Sequence, residues 1–125
     1  MRHIVSTVLE SKKYDLEERT FQFARQVRDL VKILPKTYSN IEDSKQIIRS
    51  SGSIGANYIE ANEALGRKDF LMRLRISRKE AKESAYFLRL IRESNDRQYK
   101  SEAERLWNEA IEIKKILSAI ILKST

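Results

Sequence analysis

Four sets of mainly apolar residues, each recurring at alternating spacings of four and three positions, constrain the fold of this chain more than any other feature. This spacing places the side chains of a set on one face of an α-helix, where they can be buried together. We call these faces seams; they consist of Leu16, Thr20, Phe23, Val27, Leu30 and Leu34, then Ile47, Ser51, Ile54, Tyr58, Ala61 and Leu65, then Phe70, Leu74, Ser77, Ala81, Ser84, Leu88 and Ile91, and last Ala103, Leu106, Ala110, Ile113, Leu117 and Ile120. The pattern predicts four amphipathic helices.

Capping and breaking residues set the expected bounds of these helices. Asp15 and Ser101 each begin a capping box, while Pro35 and Gly66 are natural stops. Two glycines at 52 and 55 leave open a break in the second helix, but its seam keeps phase across both and favours a continuous helix. We predict helices at about 15–34, 42–65, 68–94 and 101–123, which form a bundle domain of residues 15–123 after an N-terminal extension of residues 1–14.

Length and composition point to a single all-α domain. With 125 residues the chain can bury one continuous core, and 3 Gly and 1 Pro leave few residues for turns. Four amphipathic helices with short connections favour an antiparallel up-down-up-down four-helix bundle. Because the chain has no secretory hydrophobic run and no stretch of membrane-spanning length, we expect a cytoplasmic protein with no membrane partner.

The residues that most catalytic and metal sites need are scarce. The chain has no Cys, and its single His, His3, precedes the bundle, so a thiolate or histidine metal site and a nucleophile with a histidine base are not expected. The three glycines lack the Lys-Ser/Thr ending of a phosphate-binding loop. Acid–base chemistry by paired glutamates, such as Glu80 and Glu83, stays open, although the seams suggest no polar pocket for it. We predict a protein that is not an enzyme and holds no metal or cofactor.

A row of cations on the third helix is the best indication of a binding function. The chain carries a net charge of +7, which favours polyanionic partners. At about 100° per residue, these cations lie roughly opposite the seam of their helix, with Tyr86 in the same arc. We call this set the basic stripe; it consists of Lys68, Arg75, Arg78, Lys79, Lys82 and Arg89.

Ion pairing or plain solvation is the alternative explanation of the basic stripe. Glu83 has the spacing to pair with Lys79 along the helix, and Glu93 has the spacing to pair with Arg89. The other two arginines and Lys82 have no Asp or Glu three or four residues away. Their anions must come from another helix, another subunit, solvent or a ligand, and nucleic-acid phosphate suits guanidinium groups well.

A second set of apolar residues lies beside the seams. A single bundle covers such residues poorly, so they predict an oligomer interface, whereas the alternative is that they only broaden the core. The set consists of Phe21 on the first helix and Met72, Ile76, Phe87 and Leu90 on the third.

Several segments resemble a known family of bacterial proteins. They are Tyr14–Phe21, Ile54–Ala61, Lys68–Phe70, Lys79–Ser84, Leu88–Ile91 and Ile116–Ile121. From residue 14 onward the chain resembles the four-helix bundle proteins of the 23S rRNA intervening-sequence family. It is also distantly similar to the accessory bundle that works beside reverse transcriptases in diversity-generating retroelements. The resemblance implies a bundle that assembles as a ring-like homopentamer and has no established enzymatic residues.

The residues and the resemblance lead to one preferred function and one alternative. We predict an oligomeric bundle that binds nucleic acid, with RNA favoured, through phosphate contacts of the basic stripe. The alternative is a protein-interaction scaffold or an accessory subunit of another enzyme, such as a reverse transcriptase, without direct binding of nucleic acid.

Overall fold

The computed structural model describes the backbone of residues 2–125 and the side chains of residues 15–125. This part of the chain contains no strand and four helices: α1 (Arg2–Ile33), α2 (Tyr38–Asn62), α3 (Arg67–Ser94) and α4 (Arg97–Ser124). α3 packs against α2 and α4, and α1 packs against the same two helices. The predicted all-α bundle is therefore confirmed. Within residues 2–125 none of the helices is long and apolar enough to cross a membrane.

Two helices begin earlier than the capping boxes predict. α1 begins at Arg2 and not at Asp15, and α4 begins at Arg97 and not at Ser101. A capping box marks a place where a helix can begin, but its residues are also tolerated inside a helix. Because neither Gly nor Pro lies between the predicted and the observed starts, nothing in the sequence stops these helices from extending. The prediction for His3 concerns a side chain outside the described range of residues 15–125.

α2 runs without a break from Tyr38 to Asn62, which confirms the continuous helix across its two glycines. It begins before the expected residue 42 because the Thr37 hydroxyl caps it, accepting a hydrogen bond from the Asn40 backbone amide at 3.2 Å. It also ends before the predicted end at Leu65, whose side chain is therefore fully exposed and does not belong to the core.

The four seams form the core that was expected of them. Apart from Leu65, the seam residues of α1 and α2 are all buried. Phe70 and Ile120, at the outer ends of their seams, are only partly buried, and Ile121 takes the buried position in the last turns of α4. The core thus runs between all four helices and fixes which face of each helix points outward.

Small polar side chains bring α2 and α3 close together. The hydroxyl oxygens of Ser50 and Ser84 lie 2.9 Å apart, and the Ser77 hydroxyl donates to the Ile54 carbonyl at 2.7 Å. These serines are fully buried, so each hydrogen bond replaces water that the core excludes. The tight contact fixes the rotation of α3 about its axis and hence the direction of its outer face.

Candidate nucleic-acid interface

The basic stripe lies on the outer face of α3. Five of its side chains are exposed, whereas the seam residues Ala81 and Leu88, next to them in sequence, are buried. Between Lys68 and Arg89 the stripe extends about 32 Å, at about 1.5 Å per residue. One helix therefore carries an apolar inner face and a row of cations on its outside. The exposed members are Lys68, Arg75, Lys79, Lys82 and Arg89.

Arg49 of α2 binds the carboxylate that was expected to neutralise Lys79. Its guanidinium pairs with Glu83 and, at 3.3 Å, with Glu80, which is buried. One guanidinium can donate to two carboxylates at once, and a buried carboxylate needs such a partner more than an exposed one does. The alternative of a Lys79–Glu83 pair, which the spacing along α3 allows, is therefore not realised.

The same competition occurs near the end of α3. Glu93 pairs with Arg92 at 3.0 Å, and the alternative pair of Glu93 with Arg89, which the spacing allows, is not formed. The Arg92 guanidinium lies 5.9 Å from the centre of the Trp107 ring, which packs against the core. Arg89 has no carboxylate within 4.0 Å among the side chains of residues 15–125.

No member of the basic stripe has a carboxylate oxygen within 4.0 Å among the side chains of residues 15–125. Arg78 differs from the rest, because it is half-buried and donates to the Ser118 hydroxyl of α4 at 3.5 Å. Arg75, Lys79 and Lys82 are exposed and follow one another at intervals of about one helical turn, so they form the densest group of exposed cations in the stripe.

Several cations elsewhere in the bundle form ion pairs within the fold, in contrast to the basic stripe. Arg19 of α1 makes two hydrogen bonds of 2.8 Å to Glu109 of α4, and these bonds raise the pKa of Arg19. On α4, a hydrogen bond from Arg105 lowers the pKa of Glu102. Some cations of α1, α2 and α4 thus find anions within the fold, whereas the basic stripe finds none among the side chains of residues 15–125. Outside α3, Arg28, Lys32, Lys114 and Lys123 also form no ion pair within this range, but they do not form a row on one helix face. Among the described residues no group of three or more His, Cys, Asp or Glu side chains could hold a metal ion.

The predicted oligomer-interface residues differ in exposure. Phe21 is 59% exposed and Met72 is 45% exposed, whereas Ile76, Phe87 and Leu90 are half-buried. Phe87 packs against the core, which favours the alternative of a broadened core for that residue. Exposure therefore supports an interface role chiefly for Phe21 and Met72.

A shallow groove on α3 brings the two predicted sets together. Met72 and Ile76 line this groove of about 710 Å³, and three cations and one carboxylate lie beside them: Lys68, Arg75, Lys79 and Asp69. We call it the α3 groove. An apolar surface next to three cations can bind a ligand that has both an anionic and an apolar part.

A second groove, of about 540 Å³, runs between α1 and α2. Its apolar wall includes Phe21 and Ile59, and Ile59 is 46% exposed. The two helices lie close here because Gly55 has no side chain: a Cβ atom would lie 2.8 Å from the Thr20 hydroxyl. Ile59 is not among the residues of the predicted interface. A helical wheel of α2 would have identified it, because it is an apolar residue that lies off the seam.

Comparisons with known proteins agree with this architecture. A model of the 23S rRNA-intervening sequence protein family matches residues 12–119, a range that includes the whole basic stripe. A 1.70 Å crystal structure of a protein of unknown function from the S23 ribosomal protein family of Bacteroides thetaiotaomicron VPI-5482 is 37% identical in sequence, with a TM-score of 0.77. The similarity covers 88% of this chain and 97% of that one. No curated protein gives a significant match.

Proposed function

The chain belongs to the 23S rRNA-intervening sequence protein family, and on this basis we propose that it is a non-enzymatic, oligomeric bundle that binds RNA in the bacterial cytoplasm through its basic stripe. The observation that carries the proposal is the row of exposed cations on α3 with no carboxylate within 4.0 Å among the side chains of residues 15–125. The family description names an intervening sequence of 23S rRNA, which supports RNA over other polyanions.

The chemistry of the stripe favours contacts to phosphates over contacts to bases. Its members are Lys and Arg, which bind phosphate oxygens as point charges or with two parallel hydrogen bonds. Contacts of this kind position a nucleic acid but carry little information about its sequence. Each bound phosphate releases condensed counterions, so five such contacts give a slope of log affinity against log salt of about −3.5 for a single strand to −4.5 for a duplex.

The proposal is tested by neutralising the densest part of the stripe. The variant Arg75→Gln, Lys79→Gln, Lys82→Gln is expected to bind RNA at least about tenfold more weakly at low salt, with a salt slope shallower by about two. The matched control is Lys32→Gln, Lys36→Gln, Lys100→Gln, which removes the same charge from exposed side chains outside α3 that likewise have no carboxylate within 4.0 Å among the side chains of residues 15–125. Equal losses in the two variants would show that net charge alone, and not the stripe, attracts RNA.

A second candidate function is favoured by the α3 groove. Exposed Met72 beside Lys68 and Arg75 suits a protein partner that inserts an apolar side chain and flanks it with acidic residues. In this case the chain is an accessory subunit of another enzyme and does not bind nucleic acid directly. Stoichiometric recovery of one protein after nuclease treatment, and its loss in the variant Met72→Asp, would favour this function over RNA binding.

We also propose that the four helices run up-down-up-down. The side-chain amides of Asn40, in the first turn of α2, and Asn95, directly after α3, exchange hydrogen bonds of 2.7 Å and 2.9 Å. The Arg67 side chain, at the start of α3, donates to the Ser124 carbonyl at the end of α4. Contacts between the start of one helix and the end of its neighbour support opposite directions for α2 and α3 and for α3 and α4.

The assembly that we propose is a homopentamer. Exposed Phe21 and Ile59 in the groove between α1 and α2 support a contact between copies, and the number five comes from the family resemblance. Sedimentation velocity should give about five times the mass of one chain. Phe21→Asp should dissociate the assembly, while Leu65→Asp, a matched change at a fully exposed position, should leave it intact. A wild-type protein that sediments as a monomer would contradict the proposal.

A further inference from the structure

Tyr86 is an exposed aromatic residue within the basic stripe. It is 60% exposed on the outer face of α3. Lys82 precedes it by four residues and Arg89 follows it by three, and residues at these spacings are neighbours on a helix, with Cβ atoms about 5–6 Å apart. The ring is therefore flanked by two cations with no carboxylate within 4.0 Å among the side chains of residues 15–125. Glu83 precedes the ring by three residues, but its carboxylate is paired with Arg49 of α2.

The Tyr86 ring is attached to the fold by its neighbour. It packs at an angle of 84° against the Phe87 ring, with ring centroids 5.5 Å apart. Phe87 in turn packs against the core, so the contact links the exposed ring to a fixed part of the bundle. An edge-to-face contact occupies at most one face of the Tyr86 ring, which leaves the other face for a ligand.

We infer that Tyr86 is a stacking platform for an unpaired base and that the basic stripe binds single-stranded RNA in preference to duplex RNA. The inference rests on the proposed function, which already assigns phosphate contacts to the stripe. In a duplex the base faces are covered by neighbouring bases, so the cations would find phosphates but the ring would find no base. In a single strand the base faces are available, and a row of cations combined with an aromatic platform binds such strands without regard to sequence. Lys82 and Arg89 then bind the phosphates on either side of the stacked base.

Tyr38 provides the contrast that shows why position matters more than exposure. It is 83% exposed, more than Tyr86, and lies at the start of α2. Ile41 and Glu42 follow it by three and four residues, so its helical neighbours on that side are apolar and anionic. No cation lies three or four residues from Tyr38 on either side, so no phosphate contacts flank its ring, and Tyr38 is therefore a matched control.

Binding to one RNA of about 20 nucleotides, free and annealed to its complement, tests the inference with the full-length chain. Tyr86→Ala is expected to weaken binding of the single strand by roughly tenfold, because a stacked base is lost. Its binding to the duplex should stay within about twofold of wild type, since phosphate contacts alone support it. Tyr86→Phe should bind as wild type does, because stacking needs the ring and not the hydroxyl, and Tyr38→Ala should have no effect on either RNA.

A fluorescence measurement reports stacking directly. Tyr86→Trp in a Trp107→Phe background places a single tryptophan in the stripe, and its emission should be quenched when the single-stranded RNA binds. Tyr38→Trp in the same background should show no quenching. Equal quenching at both positions would contradict a platform at Tyr86.

Three outcomes overturn the inference, and they differ from failure of the proposed function. Unchanged single-strand affinity in Tyr86→Ala, with weakened binding in the glutamine variant of the stripe, ends the inference and leaves RNA binding by the stripe in place. Equal losses for single strand and duplex, or a changed oligomeric mass in Tyr86→Ala, would show that the ring supports the fold or the assembly. Wild-type affinity in the glutamine variant of the stripe would instead contradict the proposed function itself.

Discussion

The edge of α3 that faces α2 and the face of α3 that points outward differ in how their charged side chains are paired. On the edge toward α2, Glu80 and Glu83 share the guanidinium of Arg49. On the outer face, Arg75, Lys79 and Lys82 have no carboxylate within 4.0 Å among the side chains of residues 15–125. The two regions belong to one helix, so the difference does not come from local composition but from what lies opposite each of them.

The comparison teaches that burial, more than sequence spacing, decides which charges pair. A buried carboxylate such as Glu80 loses its hydration and needs a cation, whereas an exposed lysine keeps its hydration and gains little from pairing. Arg49 therefore pairs with both carboxylates on the α2 side, and the cations on the outer face are left over. Between Arg75 and Arg89 the exposed charged side chains of α3 are therefore all cations, although this stretch of sequence contains both signs.

The largest effect on stability is expected on the inner face of α3, and two adjacent residues allow it to be compared with the outer face. Leu88→Ala removes a fully buried side chain and should lower the free energy of unfolding by about 3 kcal/mol. Arg89→Ala, one residue later on the exposed face, should change it by less than about 0.5 kcal/mol. Chemical denaturation of the two variants gives both values. Similar losses in both would mean that Arg89 has a structural partner.

A smaller effect is expected at the edge between the two faces. Arg49→Ala leaves the buried Glu80 carboxylate without its cation and should lower the free energy of unfolding by about 2 kcal/mol. Adding Glu80→Gln should recover part of this loss, because a neutral amide needs no cation. A double-mutant cycle by thermal denaturation measures the coupling. Strictly additive effects would contradict the proposed dependence of Glu80 on Arg49.

Much of the inner face of α3 could be predicted from the sequence, and much less of the charge pairing. Burial at Leu74, Ala81 and Leu88 follows from helical periodicity, which acts within one element. The pair of Arg49 with Glu83 joins residues of two helices, and its formation depends on how α2 and α3 are rotated against each other. Spacing within α3 could show that Lys82 lacks a partner on its own helix. It could not show that Arg49 of α2 would pair with Glu83, the carboxylate with the right spacing for Lys79.

The serine contact between α2 and α3 should have an intermediate effect. Ser84→Ala removes the partner of the buried Ser50 hydroxyl, which should lower the free energy of unfolding by about 1 kcal/mol. Ser101→Ala, at an exposed position in α4, is the control and should be close to neutral. Amide hydrogen exchange along α2 and α3 checks whether the loss is local to this contact. No change in either variant would show that close packing alone holds the two helices together.

The smallest effect on stability is expected from substitutions on the outer face of α3. Arg75→Gln, Lys79→Gln, Lys82→Gln alters three exposed side chains with no carboxylate within 4.0 Å among residues 15–125, so the free energy of unfolding should change by less than about 0.5 kcal/mol. Removing like charges that lie one turn apart can even stabilise the helix slightly, most of all at low salt. Chemical denaturation at low and at high salt measures this change in the free energy of unfolding and its dependence on salt. A loss of more than about 1 kcal/mol would mean that these cations are partnered within the protein or its assembly, and the outer face would then be no different in kind from the edge toward α2. A variant that keeps its stability but loses RNA binding separates folding from function on a single helix.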